Sequence, residues 1–160
     1  MKSRRISAAL AAAFLLFAAV SASAQIRGRN GCRIGNPGNM DFGDYLDGQA
    51  TPALGVLTIV LSCKGDSVHV DAVVTGGPSE NSGDMLDRRL RAKKNPDAYV
   101  RYQLYVDSAR TRVFGDGTRG TEAIVFPYTN RTGHIYGQIP GGESGPEDKY
   151  GDMIMITVMP

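Results

Sequence analysis

The sequence predicts an all-β sandwich, and three observations support this prediction. Apolar and polar residues alternate with a period of two over several short stretches, and residues typical of turns separate those stretches. No segment repeats its apolar residues with the 3.6-residue period of an amphipathic helix. All 20 glycines lie after residue 24, which adds turns and disfavours long helices. Short strands joined by turns are typical of two packed antiparallel sheets.

The first strands are predicted from the clearest alternation. Gly55–Cys63 is apolar enough to be buried on both faces near its middle, and residues 67–74 place valines and an alanine at every second position. Lys64-Gly65-Asp66 separates the two stretches and has the glycine that a hairpin turn prefers. A short further strand is predicted over residues 39–42.

Four more strands follow along the chain, over residues 98–107, 121–126, 132–139 and 152–158. In the first of them, Tyr102, Leu104 and Val106 are candidate core residues, and Asp107 is expected to accept backbone N–H groups in the turn that follows. In the last, Ile154, Ile156 and Val158 point to one side.

Residues 76–97 interrupt this pattern. Their first half has the composition of a loop, and their second half contains a cluster of basic residues, namely Arg88, Arg89, Arg91, Lys93 and Lys94. One interpretation is a solvated connection with a helical turn. The other is a loop that binds an anionic partner, such as a surface polysaccharide or a lipid head group. No aromatic residue interleaves with these bases, which argues against a nucleic-acid stacking surface.

The first 24 residues have the pattern of a secretory signal peptide. A basic start precedes an apolar run over residues 8–20, and Ala22-Ser23-Ala24 supplies a cleavage signal of small residues. A membrane anchor needs roughly 20 apolar residues, which is longer than this run. We therefore expect residues 1–24 to be removed between Ala24 and Gln25, and residues 25–160 to form one exported domain.

The charge of the exported domain is close to neutral. The signal peptide holds three of the 18 basic residues and none of the 16 acidic ones, so the remainder has a net charge of −1. This balance gives no reason to expect nucleic acid as a partner.

Cys32 and Cys63 are the only cysteines of the chain. In an exported protein, such a pair is most simply a disulfide. Closing a loop of about 30 residues would stabilise the fold by roughly 3–4 kcal/mol.

The sequence offers no catalytic or metal-binding pattern. His69, Asp107 and Ser144 follow the chain order of a trypsin-like triad, but the residues that flank the histidine and the serine in that class of protease are missing. The two histidines and the scattered acids have no metal-ligand spacing. We therefore expect a protein that is not an enzyme and has no cofactor or metal.

Several ordered motifs resemble the spore coat protein U domain family, which is related to the subunits of archaic chaperone–usher pili. They are Met40-Asp-Phe-Gly-Asp-Tyr45, Leu57-Thr-Ile-Val-Leu-Ser-Cys63, Tyr102-Gln-Leu-Tyr-Val-Asp-Ser-Ala-Arg110, Val113-Phe-Gly-Asp-Gly-Thr118, Tyr136-Gly-Gln-Ile-Pro140 and Tyr150-Gly-Asp-Met-Ile-Met-Ile-Thr-Val158. The resemblance covers nearly all of the exported domain.

The resemblance implies an immunoglobulin-like antiparallel sandwich that lacks one strand. A periplasmic chaperone supplies that strand first, and another subunit, delivered at an outer-membrane usher, then replaces it by strand exchange. Ile154, Ile156 and Val158 would line the strand that borders the acceptor groove. The chain would be a structural or adhesive subunit that passes through the periplasm to the cell surface, in a pilus or a coat.

The segment before Cys32 is a poor donor strand. Residues 25–31 contain one large apolar side chain, two arginines and two glycines, whereas a donor needs about eight residues with alternating apolar character. This predicts a tip or terminal subunit that accepts a strand without donating one. The other interpretations are a coat-type member that assembles differently, or cleavage at another site. The alternative function is a self-sufficient secreted domain that binds an anionic glycan through the basic cluster.

Overall fold

The computed structural model describes residues 31–64 and 69–159, and this part of the chain is built from β-strands. The strands are β1 (Cys32–Ile34), β2 (Ala53–Cys63), β3 (Ala72–Ser79), β4 (Arg88–Ala92), β5 (Tyr99–Tyr105), β6 (Ile124–Phe126), β7 (Thr132–Ile139), β8 (Tyr150–Gly151) and β9 (Ile154–Met159). In the described ranges there is no helix that could cross a bilayer.

The strands form two antiparallel sheets, which confirms the predicted all-β sandwich. The larger sheet has the order β1-β2-β7-β5-β4-β8, and the smaller has the order β6-β3-β9. One apolar core joins them, because Ile59 and Ile135 of the larger sheet and Val74 and Val158 of the smaller are all fully buried in the same cluster. Each strand contributes every second side chain to this core, as the period of two requires.

Several predicted strands agree with the structure. Thr132–Ile139 is a strand with the predicted bounds, and Ala53–Cys63 and Tyr99–Tyr105 differ from their predictions by a few residues at the ends. The strand predicted over residues 121–126 is observed as the shorter β6. The strand predicted over residues 152–158 is observed as β9, which begins and ends slightly later. Tyr102 and Leu104 are buried, as predicted, and Val106 is partly buried against the core.

The hairpin predicted between residues 55–63 and 67–74 is wrong. β2 and β3 belong to different sheets, so the connection between them crosses from one layer to the other. β3 begins only at Ala72, and His69 and Val70 are exposed before it. The glycine in the linker favoured a hairpin, but both strands find their partners far away in sequence.

The loop predicted over residues 76–97 is also wrong in two places. β3 continues to Ser79, and Arg88–Ala92 forms β4, which pairs with β5 and β8. Within β4, the side chains of Arg88, Leu90 and Ala92 are buried, and those of the arginines between them are exposed. A strand with an arginine on its buried side does not show an apolar period in its sequence.

Residues 39–42 are not a strand, although their alternation is real. Met40 and Phe42 lie against the inner face of the larger sheet, where Gly55 of β2 pairs with Gly137 of β7. A Cβ atom on Gly137 would overlap both side chains. The segment therefore covers the sheet by contact with bare backbone instead of by joining its hydrogen-bonded ladder.

Candidate functional site

The outer edge of β9 is the first candidate site. β9 ends the smaller sheet, and its only described strand neighbour is β3, so one side of its backbone has no strand partner in the described part of the chain. Such an edge can pair with a strand from another chain. β9 contains no charged residue, and charges are a common means of preventing this pairing.

The inward side of β9 is unevenly covered. Val158 is fully buried, whereas Ile154 and Ile156 are only partly buried although they pack against the core. The predicted acceptor residues therefore share one side of the strand, and two of them retain exposed apolar surface. On the opposite side, Met155 is 70% exposed and Met153 is 47% exposed.

β1 lies against β9 and is the edge strand of the larger sheet. It pairs with the end of β2, and a disulfide joins Cys32 to Cys63. The predicted disulfide is thus confirmed. Because β1 has three residues, this bond is a major constraint on its position. The two sheets therefore bring their edge strands together at one side of the sandwich.

Arg88, which the sequence predicted to lie in a loop, is a buried residue of β4 that connects several segments of the sandwich through hydrogen bonds. Arg88 is 1% exposed. Its Nη1 atom donates to the carbonyl oxygen of Met85 and to Oε1 of Gln103, both at 2.6 Å, and its Nη2 atom donates to the carbonyl oxygens of Gly77 at 3.1 Å and Phe114 at 3.0 Å. Burial lowers the pKa of the guanidinium, against the opposing influence of Tyr102 and Asp152.

A second polar network fixes the start of β9. Asp152 accepts hydrogen bonds from the Tyr102 hydroxyl at 2.6 Å and from the Asn81 side-chain amide at 3.0 Å. Burial and this hydrogen bond raise the pKa of Tyr102, so the phenol remains a donor. Because Tyr102 lies on the larger sheet, the contact ties β9 to both layers. None of these residues belonged to a predicted site.

The predicted anionic-partner cluster is dispersed by the structure. Arg88 points into the core, and Arg89 forms an ion pair with Asp87. Arg91 is exposed on β4, and Lys93 and Lys94 are exposed just after it. The five residues therefore do not form one basic loop. They are separated because part of the cluster forms a strand, in which neighbouring side chains point to opposite faces.

The loop that contains Ser144 is held by a buried carboxylate. Glu143 is 8% exposed, and its carboxylate accepts from the backbone N–H and the Nε of Arg101, each at 2.9 Å. Burial by itself raises the pKa of this carboxyl, but the hydrogen bonds and the charge of Arg101 outweigh burial, so the pKa is lowered.

Replacing Glu143 with glutamine is expected to lower the stability by about 1 kcal/mol at pH 7, a small value because the Arg101 side chain is exposed to solvent. A lowered pKa in the folded state contributes stability above the unfolded-state pKa of about 4.3 and loses it as the pH falls through the folded-state value. The difference between the two proteins in urea unfolding should therefore shrink as the pH falls below about 4.3. The exposed Glu147→Gln variant serves as the control; a difference for Glu143→Gln that stays constant with pH would contradict this account.

The remaining candidates for chemistry serve local structure. Asp107 accepts from the backbone N–H groups of Thr111 and Arg112 at 3.2 and 2.8 Å, which confirms its predicted role in the turn. Across residues 31–64 and 69–159, no three His, Cys, Asp or Glu side chains come together as ligands for a metal ion.

Comparison with solved structures shows the class of fold. A chain from a structure of a chaperone–tip adhesin complex, described as vital for synergistic activation of CFA/I fimbriae biogenesis, superposes with a TM-score of 0.53 at 14% sequence identity. The match covers 81% of this chain and 41% of that one. The fold is an immunoglobulin-like antiparallel sandwich, as expected. No curated protein matches the chain.

The chain is thus an all-β domain in which the disulfide-bonded edge strand β1 and the apolar edge strand β9 lie at the same side of the sandwich. The chain belongs to the spore coat protein U domain family, whose pattern matches residues 16–157. This confirms the family resemblance of the sequence motifs. The expected signal peptide, with cleavage between Ala24 and Gln25, lies outside the described residues and stays a prediction.

Proposed function

We propose that the chain is an exported structural or adhesive subunit of a surface assembly, such as a pilus or a coat, and that it is not an enzyme. In this role it accepts a strand from a partner along β9. The observation that carries the proposal is the uncharged edge of β9, with Ile154 and Ile156 only partly covered.

An added strand would satisfy the backbone of this edge and cover the apolar surface beside it. A strand in the ladder places every second side chain on the inner side, where apolar residues would meet Ile154 and Ile156. Main-chain hydrogen bonds would supply affinity, and the alternate side chains would supply specificity. Burying apolar surface contributes roughly 25 cal/mol per Å², so the pairing is favourable in water.

The same edge makes a chaperone necessary. An exposed apolar edge strand leads to aggregation unless it is covered. A periplasmic chaperone would cover β9 after export, and an outer-membrane usher would then direct its exchange for a strand of another subunit. Membership of the family and a fold shared with a chain from a fimbrial chaperone–tip adhesin complex support this route.

The tip or terminal position follows from residues 25–31. With one large apolar residue and two arginines, this segment could not place alternating apolar side chains against the edge of a sheet. The subunit would accept a strand and donate none. Grafting an alternating valine and threonine sequence in place of residues 25–31 should then allow the chain to extend a fibre.

Strand acceptance can be tested with a nine-residue peptide that alternates valine and threonine. Without a partner, the exported chain is expected to aggregate or to have a low midpoint of thermal unfolding. Peptide at about 100 times its dissociation constant should stabilise it by about 2.7 kcal/mol, or roughly 10 °C in the midpoint of thermal unfolding. A peptide of the same composition with its valines contiguous should have little effect.

Two variants of neighbouring residues give the test a matched control. Ile156→Asp places a carboxylate against the incoming strand and should abolish the stabilisation by the peptide. Met155→Asp makes the same change on the outward side of the same strand and should preserve it. The proposal fails if the chain unfolds reversibly at high temperature without a partner and ignores the peptide, or if both variants respond alike.

A further inference from the structure

A pocket at the far edge of the larger sheet gathers basic residues that the sequence separates. It is an open depression where β4 pairs with β8, with a volume of about 470 Å³. Its basic lining consists of Arg91, Lys93 and Lys149. The backbone N–H of Lys93 donates to the carbonyl oxygen of Lys149 at 2.8 Å, so the two lysines are held side by side although 56 positions separate them in the chain.

None of the three basic residues forms an ion pair with a described residue, in contrast to Arg89 and Arg101. Like charges that lie side by side disfavour folding. An anion in the pocket would remove that repulsion. The nearby Asp148 carboxylate forms no ion pair with any of the three; it accepts from the backbone N–H groups of Lys94, Asn95 and Lys149.

Arg91 is oriented for such a ligand. Its Nε atom donates to the carbonyl oxygen of Pro96 at 2.8 Å, and its guanidinium carbon lies 6.0 Å from the centre of the Tyr99 ring. These contacts hold the side chain while its two terminal nitrogens have no hydrogen-bond partner in the described part of the chain. A planar guanidinium presented in this way can bind a carboxylate or a sulfate through two parallel hydrogen bonds.

The pocket also has room and an apolar wall. Gly151 pairs with Arg91, and a Cβ atom on this glycine would meet nothing within 4 Å. Pro96 and Ala92 line the pocket as well, as does Tyr150, whose side chain packs against the core and whose hydroxyl donates to the carbonyl oxygen of Pro146 at 2.8 Å. An apolar surface beside three cations suits a sugar ring that carries an acidic group.

We propose that this pocket binds the carboxylate or sulfate groups of an acidic polysaccharide through Arg91, Lys93 and Lys149. The three basic residues are distinct from the β9 residues proposed for strand acceptance. It replaces the basic cluster expected from the sequence, because it excludes Arg88, Arg89 and Lys94 and adds a lysine from the other end of the chain.

The proposal is tested by binding of the purified exported chain to polygalacturonate, dextran sulfate and uncharged dextran. The triple variant Arg91→Gln, Lys93→Gln, Lys149→Gln should bind the charged polymers about tenfold to a hundredfold more weakly, since each exposed ion pair contributes up to about fivefold. The control removes three exposed bases outside the pocket, through Arg33→Gln, Lys64→Gln and Lys94→Gln, and should change binding less than about threefold.

A variant without a charge change separates the pocket from general attraction. Gly151→Thr fills the open space beside Arg91 and is compatible with a strand, and it should weaken binding as strongly as the triple variant. Preference for one charged polymer identifies the acidic group. Equal losses in both triple variants, binding of uncharged dextran, no binding of either charged polymer, or normal binding by Gly151→Thr would each overturn the proposal. Ile156→Asp should leave polymer binding intact, so failure here is distinct from failure of strand acceptance.

Discussion

Replacing Arg88 with alanine is expected to lower the free energy of unfolding by about 3–5 kcal/mol. The guanidinium serves four oxygen acceptors in the interior. Hydrogen bonds to a charged donor contribute about 1.5–3 kcal/mol each, and a buried acceptor left without a partner costs about 1–3 kcal/mol. Removing the guanidinium also removes the cost of burying its charge, and this relief offsets part of the sum.

Further variants at this position separate the hydrogen bonds from packing. Arg88→Met retains much of the apolar volume but serves none of the acceptors, so it should be nearly as destabilised as the alanine variant. Arg88→Lys keeps the charge but loses the planar set of donors of the guanidinium, so its loss of stability should be intermediate. Arg89→Ala, on the exposed face of the same strand, should change stability by less than about 1 kcal/mol. Urea unfolding measures all four, and near-native stability of Arg88→Met would refute this account.

Removing the disulfide is expected to cost about 3–4 kcal/mol. The bond closes a loop with a sequence separation of 31 residues, which limits the unfolded chain. The folded state would also change, because β1 is held by a short ladder of three residue pairs with β2. Without the bond, Ile34 would leave the core more readily, and β1 would no longer be held firmly beside β9.

The double variant Cys32→Ser, Cys63→Ser tests this expectation through urea unfolding and through binding of the alternating peptide. Both the stability and the affinity for the peptide should fall. Reduction of the native chain by dithiothreitol should reproduce the loss, and the same reagent should have no effect on the double variant. Unchanged peptide affinity in the double variant would show that β1 does not form part of the strand-acceptor site.

The alternation of apolar and polar residues predicted strands correctly where buried positions are apolar and the positions between them are more exposed. β7 was predicted at its observed bounds because Ile135 and Ile139 are buried, the residues that alternate with them are less so, and Pro140 follows. The same reasoning placed Ile154, Ile156 and Val158 on one side of the last strand. β4 was missed because Arg88 occupies a position where an apolar residue was expected. The oxygen atoms that accept hydrogen bonds from Arg88 lie in distant parts of the chain, and local sequence patterns do not show that these parts meet.

Pairing between distant segments explains the remaining differences. The hairpin between β2 and β3 failed because β2 instead pairs with β7, far along the sequence. Lys149 entered no predicted site because only the contact of β8 with β4 brings it to Lys93. Local composition carries no information on which strands meet, so the predicted basic cluster and the observed pocket share only two residues.

The location of Arg88 has a consequence for how the molecule can exchange partners. Its acceptors are Gly77, Met85, Gln103 and Phe114, and none of them belongs to β1 or β9. A strand that arrives or departs at the β9 edge therefore breaks none of these hydrogen bonds. Under the proposed strand exchange, the domain would divide into an ordered body and one exchangeable side, and amide hydrogens of β4 and β5 should remain protected through an exchange that exposes those of β9.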